Sequence, residues 1–245
     1  MESQDLILEN LSHSFSKDAQ TCVLNDVTVK FPANTWTAVM GPSGSGKSTL
    51  LNCSAGLLVP DHGSVMLNGQ DITKISRADR VKLRRKSISV IFQDFNLVPS
   101  LTALENVGLP LLFDGQTPDR SKMLQALDSV GIQNLADRRP TQLSGGEQQR
   151  VAIARALLAD AAYIFADEPT GSLDSRSTTR VLEQMRNISE NSQKTIVMVT
   201  HDSYVAAFAH RVIFVLDGEI VDEIYAPTAE QISEKMNHLR RTEVA

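Results

Sequence analysis

The stretch Gly41-Pro42-Ser43-Gly44-Ser45-Gly46-Lys47-Ser48-Thr49 constrains this chain more than any other. It fits G-x-x-x-x-G-K-[ST], the spelling of a phosphate-binding loop. Glycines at 41, 44 and 46 let the backbone turn tightly and bring its N–H groups close to phosphate oxygens. Lys47 supplies a point charge for the β- and γ-phosphates, and the Ser48 hydroxyl is a ligand for Mg²⁺. A helix starting here aims its positive end at the anion. The run Thr37-Ala38-Val39-Met40 before the loop is short and apolar, as a buried strand requires. Leu50 to Gly56 after it reads as a helix with a glycine cap. Strand, loop and helix in that order separate the motif from a merely flexible Gly/Ser turn.

The 245 residues are 42% hydrophobic, enough for one substantial core and a smaller attached lobe. A formal net charge of −5 argues against a duplex-DNA binder working by bulk electrostatics. Cys22 and Cys53 are too few for a disulfide framework and lack metal-ligand spacing. Cys53, on the apolar helix after the loop, is expected to be a buried small hydrophobe. A reducing cytoplasm is the simplest setting. No apolar run approaches the ~20 residues of a membrane span. The polar start Met1-Glu2-Ser3-Gln4-Asp5 lacks the pattern of a signal peptide. Work at a membrane therefore calls for a partner.

Residues 6–40 alternate apolar and polar, with Asn25-Asp26 and Pro32-Ala33-Asn34 as expected turns, so an antiparallel β-layer precedes the loop. Phe15 stands in a polar stretch and is either an exposed aromatic that stacks on a nucleobase or part of the β-layer's core. Val65 to Gln70 reads as a hairpin turning at Asn68-Gly69. Ser76 to Lys86 reads as a basic, solvated helix with Ser76 and Asp79 in a capping box. Ile88 to Phe92 is a strand ending at Gln93. Residues 100–140 form an apolar, proline-interrupted helical lobe inserted into the core. Within it Thr117 is expected to cap a helix that has Pro118 at its first position. This lobe also suits a docking groove for another protein. Beyond it come a helix from Ser144 through Leu158, a strand at Tyr163–Ala166 and a helix carrying Val181, Leu182, Met185 and Ile188. A strand at Thr195–Val199, a hairpin over 212–224, and a last helix capped by Thr228 and Gln231 complete the chain. The last helix has no function readable from its residues.

Four apolar strands end in polar residues, before Gly41, at Gln93, at Asp167-Glu168 and at His201. In a parallel sheet with helical crossovers these ends share one edge, where ligands bind. Asp167 suits a Mg²⁺ carboxylate. Glu168 suits polarisation of a water for in-line attack on a γ-phosphate. The Gln93 carbonyl completes a Mg²⁺ shell or holds that water, and His201 is placed to hydrogen-bond the γ-phosphate. Ser144-Gly145-Gly146 opens another helix and makes a second anion site. Two half-sites for one phosphate chain imply a head-to-tail homodimer in which loop 41–49 of one copy faces 144–147 of the other, with ATP between them.

At these residues the sequence resembles the ATP-binding cassette (ABC) family over nearly its whole length. Gly41 to Thr49 is similar to Walker A, Leu143 to Arg150 spells the signature LSGGEQQR, and Tyr163 to Glu168 is similar to Walker B with its catalytic glutamate. Gln93, Ser172-Leu173-Asp174 and His201 match the Q-, D- and H-loops. Phe15 sits at the family's adenine-stacking aromatic, usually Tyr. The resemblance implies an α/β fold, a P-loop NTPase core with an antiparallel β-subdomain and an inserted α-helical subdomain. It implies one domain over 1–245, with core at 1–94 and 141–226, the helical part at about 95–140 and a terminal helix at about 228–241. It implies catalytic roles for Glu168, His201 and Gln93, and Mg²⁺ at Ser48, Gln93 and Asp167. The implied nucleotide set is Phe15, Val23, Gly41 through Thr49, Ser144, Gly145, Gly146, Glu147 and Asp174.

Glu105-Asn106-Val107, Leu109-Pro110-Leu111 and Ala166 through Asp174 are further similar to the lipoprotein-releasing and macrolide-exporting ATPases, and to bacitracin-resistance and haem-export ones. Ser172 departs from the usual Asn. An ATPase on the cytoplasmic face that drives permeases with large extracytoplasmic domains is implied, with no nucleic-acid partner. The alternatives are a soluble cassette ATPase acting on ribosomes or DNA, and a scaffold that binds ATP with little turnover. The first usually carries two cassettes or a long coiled coil, absent here, and Glu168 argues against the second.

Overall fold

A computed structural model describes residues 5–15 and 22–243. Met1-Glu2-Ser3-Gln4, and Ser16-Lys17 beside Phe15, lie outside them. In chain order the elements are strands β1 (Leu6–His13), β2 (Leu24–Phe31) and β3 (Trp36–Met40), helix α1 (Lys47–Ser54), β4 (His62–Leu67), β5 (Gln70–Asp71), α2 (Arg77–Ser87) and β6 (Ile88–Ile91). Then follow α3 (Ala103–Phe113), α4 (Arg120–Ser129), two single 3₁₀ turns at Gln133–Leu135 and Pro140–Gln142, α5 (Gly145–Leu158) and β7 (Tyr163–Asp167). The chain closes with α6 (Ser175–Asn191), β8 (Thr195–Val199), α7 (Ser203–Ala206), β9 (Arg211–Leu216), β10 (Glu219–Tyr225) and α8 (Ala229–Glu243).

Two sheets organise these elements. One has the order β2-β1-β4-β5 and is antiparallel throughout. The other has the order β10-β9-β3-β8-β7-β6, parallel except for the β9–β10 hairpin. Successive side chains of the parallel strands point to opposite faces, and both faces are covered, so these strands are apolar almost throughout. Val39, Phe165, Val197, Val199 and Ile213 face the antiparallel sheet and α1. Met40, Ile164, Ala166, Met198 and Phe214 face the helices, with Val107, Val151, Val181 and Ile232. Cys53 lies in the first core, and burial pushes its thiol up to about 12.

Local chemistry explains most boundaries. α1 ends in a paired Schellman arrangement: Gly56 takes φ +61°, its N–H reaches the Cys53 carbonyl at 3.0 Å, and Leu57 N–H reaches Asn52 at 2.9 Å. Ser76 caps α2 by accepting from Asp79 N–H. Thr228 and Gln231 cap α8 reciprocally. Two expectations are corrected. Asn25-Asp26 is not a turn but an irregular part of β2, where Asp26 takes φ +50° and accepts from the Asn10 amide at 2.8 Å. In the lobe the cap of α4 is Asp119, which accepts from Ser121 N–H, and the helix starts two residues later than Pro118. Thr117 and Asp119 are both capping residue types. With Asp119 as the cap, Pro118 precedes the helix, where its fixed φ and missing N–H cost nothing.

Between the strand end at Gln93 and α3 the chain is held by two side chains. Arg155 on α5 donates to the carbonyls of Asn96 and Phe95 at 2.7 and 2.9 Å, across residues with left-handed φ. Asn106, fully buried on α3, accepts from Val98 N–H at 2.7 Å and donates to the carbonyls of Val98, Leu101 and Thr102. Truncating Asn106 to Ala removes the side-chain partners of Val98 N–H and the Leu101 carbonyl and leaves a space at a fully buried position. It is expected to lower unfolding free energy in a urea titration by roughly 2–3 kcal/mol. A loss below the scatter of the titration would mean the 98–102 turn holds itself.

Candidate functional site

The C-terminal ends of β3, β6, β7 and β8 open on one edge of the parallel sheet, and a cavity of about 1100 Å³ lies there. Its lining includes Gly41, Pro42, Ser43, Gly44, Gly46, Lys47, Ser48 and Thr49 from the loop, Val23 before β2, and Gln93, Asp167, Glu168 and His201 from the strand ends. Residues far apart in sequence, from Gly41 to His201, thus converge on one concave site, as parallel topology dictates. The loop could not be built without glycine. A side chain at Gly41 would meet the Val215 carbonyl at 2.0 Å. Gly46 sits at φ +97°, and a Cβ there would meet the Val23 carbonyl at 2.5 Å. Ser45 is turned into the fold instead of the cavity, with its carbonyl accepting from Gly218 N–H at 3.2 Å.

Lys47 is half-buried and its Nζ donates to the Pro42 carbonyl. Desolvation lowers its pKa, opposed by the charges of Glu168 and Asp167. Asp167 shows the opposite case. Burial raises its carboxyl above the usual range, while a hydrogen bond from Ser48 and the charge of Lys47 pull it back. Glu168 adopts φ +46°, uncommon for a non-glycine residue, with its N–H on the Val199 carbonyl at 3.0 Å. Its Oε1 lies 2.8 Å from His201 Nδ1. His201 therefore meets the Glu168 carboxylate in this chain, a contact the sequence did not disclose.

The second expected half-site stands apart. Ser144, Gly145, Gly146 and Glu147 are not in the lining of the cavity. Ser144 caps α5 in a reciprocal box with Glu147, whose carboxylate is held low by the bonds from Ser144 N–H and Oγ–H at 2.7 and 2.9 Å. Gly145 is exposed, and a Cβ there would touch only Phe95, at 3.8 Å. Gly146 backs onto the Ser172 carbonyl, which a Cβ would approach to 2.8 Å. Asp174 is likewise outside the cavity. It caps α6 through Ser177 and lies 3.8 Å from Arg150 of α5, so the LSGGEQQR helix and the Ser172–Asp174 loop are tied together. Phe15 is 71% exposed, with its ring edge-on to His13 at 5.0 Å, and is not in the cavity wall. Gly171, Ser172, Val199 and Arg240 are in the wall although the motifs did not single them out as nucleotide residues. Strand position placed Val199 within reach of sequence reasoning, whereas nothing in the sequence places Arg240.

Asp167 carries a pH prediction. A carboxyl with a raised folded pKa stabilises the fold in its protonated form, below the unfolded pKa, and that contribution is lost as pH rises through the folded value. At neutral pH the ionised Asp167 therefore opposes folding of the nucleotide-free chain. Asp167→Asn is expected to raise the melting temperature of the free protein, by a margin that widens from acid to neutral pH. A variant melting below the parent at pH 7 would contradict this.

Strand, glycine loop and helix, with polar residues on the neighbouring parallel strand ends, define a P-loop nucleoside-triphosphatase fold. A family model described as ABC transporter matches residues 24–171, and the chain belongs to that family and is an ATPase that binds ATP. It is 38% identical to the ABC transporter ATP-binding protein YxdL of Bacillus subtilis (strain 168), over 93% of this chain and 89% of that one. It is 40% identical to the macrolide export ATP-binding/permease protein MacB of Marinobacter nauticus over 96% of this chain, but spans only 37% of that longer protein. A solved dimeric structure of the ATP-binding cassette MJ0796 in a post-hydrolysis state, bound to ADP and Pi, superposes with a TM-score of 0.86 at 38% identity. The match covers 91% of this chain and 99% of that one. MJ0796 is an uncharacterised ABC transporter ATP-binding protein of Methanocaldococcus jannaschii.

Proposed function

We propose that the chain is the ATP-hydrolysing subunit of an export or mechanotransmission complex, working as a homodimer that energises a membrane permease with a large extracytoplasmic domain. Antimicrobial peptides, lipoproteins, macrolides and haem are the candidate cargoes. The observation that carries the reading is the division of the motifs. Loop 41–49 shares a cavity with Gln93, Asp167, Glu168 and His201, while Ser144 and Gly145 are exposed at a helix start outside it. An exposed helix start outside the nucleotide cavity of its own chain suits a second copy, head to tail. The dimer of MJ0796 bound to ADP and Pi supports pairing of two copies.

In this scheme the loop N–H groups and Lys47 hold the triphosphate, and Val23 and Phe15 flank its base. Glu168 takes a proton from water as the water oxygen bonds to the γ-phosphorus and the bond to the ADP oxygen breaks. His201, 2.8 Å from the carboxylate, aims it. Ser48, Gln93 and Asp167 would hold Mg²⁺. One carboxylate, one hydroxyl and one amide suit an ion that keeps waters and substrate phosphates as its other ligands. Bound there, the ion supplies neutralisation of phosphate charge.

The permease contact is assigned to the lobe at 95–140. Among the described residues no helix is long and apolar enough to cross a membrane. Membrane association on the cytoplasmic face is assigned to the permease. Leu104 and Val107 are buried in the core, but Leu112 and Phe113 at the end of α3 are 54% and 63% exposed, and Val98 is exposed nearby in sequence. Leu112→Glu with Phe113→Glu is expected to leave basal hydrolysis within about twofold, since surface changes rarely perturb the fold, and to abolish its stimulation by the reconstituted permease. Stimulation that survives both changes would sink the assignment of the lobe.

A further inference from the structure

The terminal helix does more than close the fold. α8 packs against α7, which begins two residues after His201. Ile232, Met236 and Leu239 of α8 are buried in the main core, and Lys235 pairs with Asp222 of β10. These anchors fix the backbone one position before Arg240 and one turn before it. The Arg240 side chain forms part of the wall of the cavity that holds Lys47, Asp167 and Glu168. It is exposed, and no hydrogen bond or ion pair joins it to another described residue.

The charge around the cavity gives this position its meaning. Among the described residues the wall carries, apart from Arg240, one fixed cation, Lys47, whose Nζ is already engaged by the Pro42 carbonyl, and two carboxylates, Asp167 and Glu168. Without Arg240 these described side chains sum to a net negative charge around a site that receives a polyanion. A guanidinium is charged at every physiological pH and presents a planar fork of donors that matches phosphate oxygens. We infer that Arg240 is a further nucleotide-binding residue, which contacts the phosphate chain of ATP from the His201 side and makes α8 a clasp that tightens when nucleotide is bound. The inference rests on the ATP site proposed above.

The test uses the full chain, a fluorescent non-hydrolysable ATP analogue, and amide hydrogen exchange over residues 229–243. Arg240→Ala is expected to weaken analogue binding roughly tenfold, the size of one charge-assisted contact, and Arg240→Lys to recover part of the loss. Analogue is expected to slow exchange in α8 of the parent and not in Arg240→Ala. Because Arg240 is exposed and anchors nothing, the variant folds as the parent does, which its unchanged melting temperature verifies. Parent-like affinity in Arg240→Ala, or exchange in α8 that ignores nucleotide, overturns the inference and leaves the ATP site standing. Failure of the parent itself to bind the analogue overturns both.

Discussion

Glu168→Gln is expected to slow ATP hydrolysis by roughly 10²- to 10⁴-fold, the contribution of a positioned general base, while ATP binding persists. The amide keeps the size of the carboxylate and its place beside His201, so the backbone at φ +46° is not disturbed. It accepts no proton from water at neutral pH. Because a carboxylate is removed from the cavity that holds Lys47, ATP is expected to bind at least as tightly as to the parent. Single-turnover hydrolysis and equilibrium binding measured on one preparation separate the two effects. A variant that hydrolyses within tenfold of the parent would remove Glu168 from the chemistry, and its left-handed backbone would need another reason.

Gly145→Asp is expected to have an effect of similar size for a different cause. Gly145 is the first residue of α5, exposed, with room for a side chain. An acid in the first turn of a helix is favoured by its dipole, and the Ser144–Glu147 box is left intact. The melting temperature is therefore expected to hold or rise slightly, and binding of ATP by one protomer to stay as it was, since Gly145 is outside the cavity. If Ser144-Gly145-Gly146 binds the phosphates of a nucleotide held by a second copy, a carboxylate there repels them. Hydrolysis then falls by roughly 10²- to 10³-fold, as when a donor is lost from a transition-state site. A more stable protein with no turnover is a signature that damage to the fold does not produce.

Much of this was legible because phosphate chemistry imposes spelling. The glycines of 41–46, Lys47 and the flanking strand and helix follow from the need to bring N–H groups to an anion, and clashes with the Val215 and Val23 carbonyls give Gly41 and Gly46 a second reason. Parallel pairing made the convergence of Gln93, Asp167, Glu168 and His201 readable from strand ends alone. Other features escaped because their partners are distant in sequence. The His201–Glu168 bond and the grip of Arg155 on Phe95 and Asn96 depend on packing that no local pattern encodes. Asn25-Asp26 misled because residues that favour turns also tolerate the left-handed φ of an irregular strand. Arg240 was unreadable for a simpler reason: a basic residue near the end of an amphipathic helix resembles any solvated cation until the helix is docked.

The claim on which the account depends is that each reaction centre is shared between two copies, and mixing two inactive variants tests it most directly. Lys47→Ala loses the phosphate loop of its own chain and Gly145→Asp loses the outward anion site. Neither alone is expected to hydrolyse ATP at more than a small fraction of the parent rate. Combined at equal amounts and allowed to exchange partners, half the pairs are mixed, and each mixed pair holds one intact centre out of two. Hydrolysis is then expected to return to about a quarter of the parent rate. A mixture as inactive as its components, with exchange verified by labelled protomers, would contradict the shared centre.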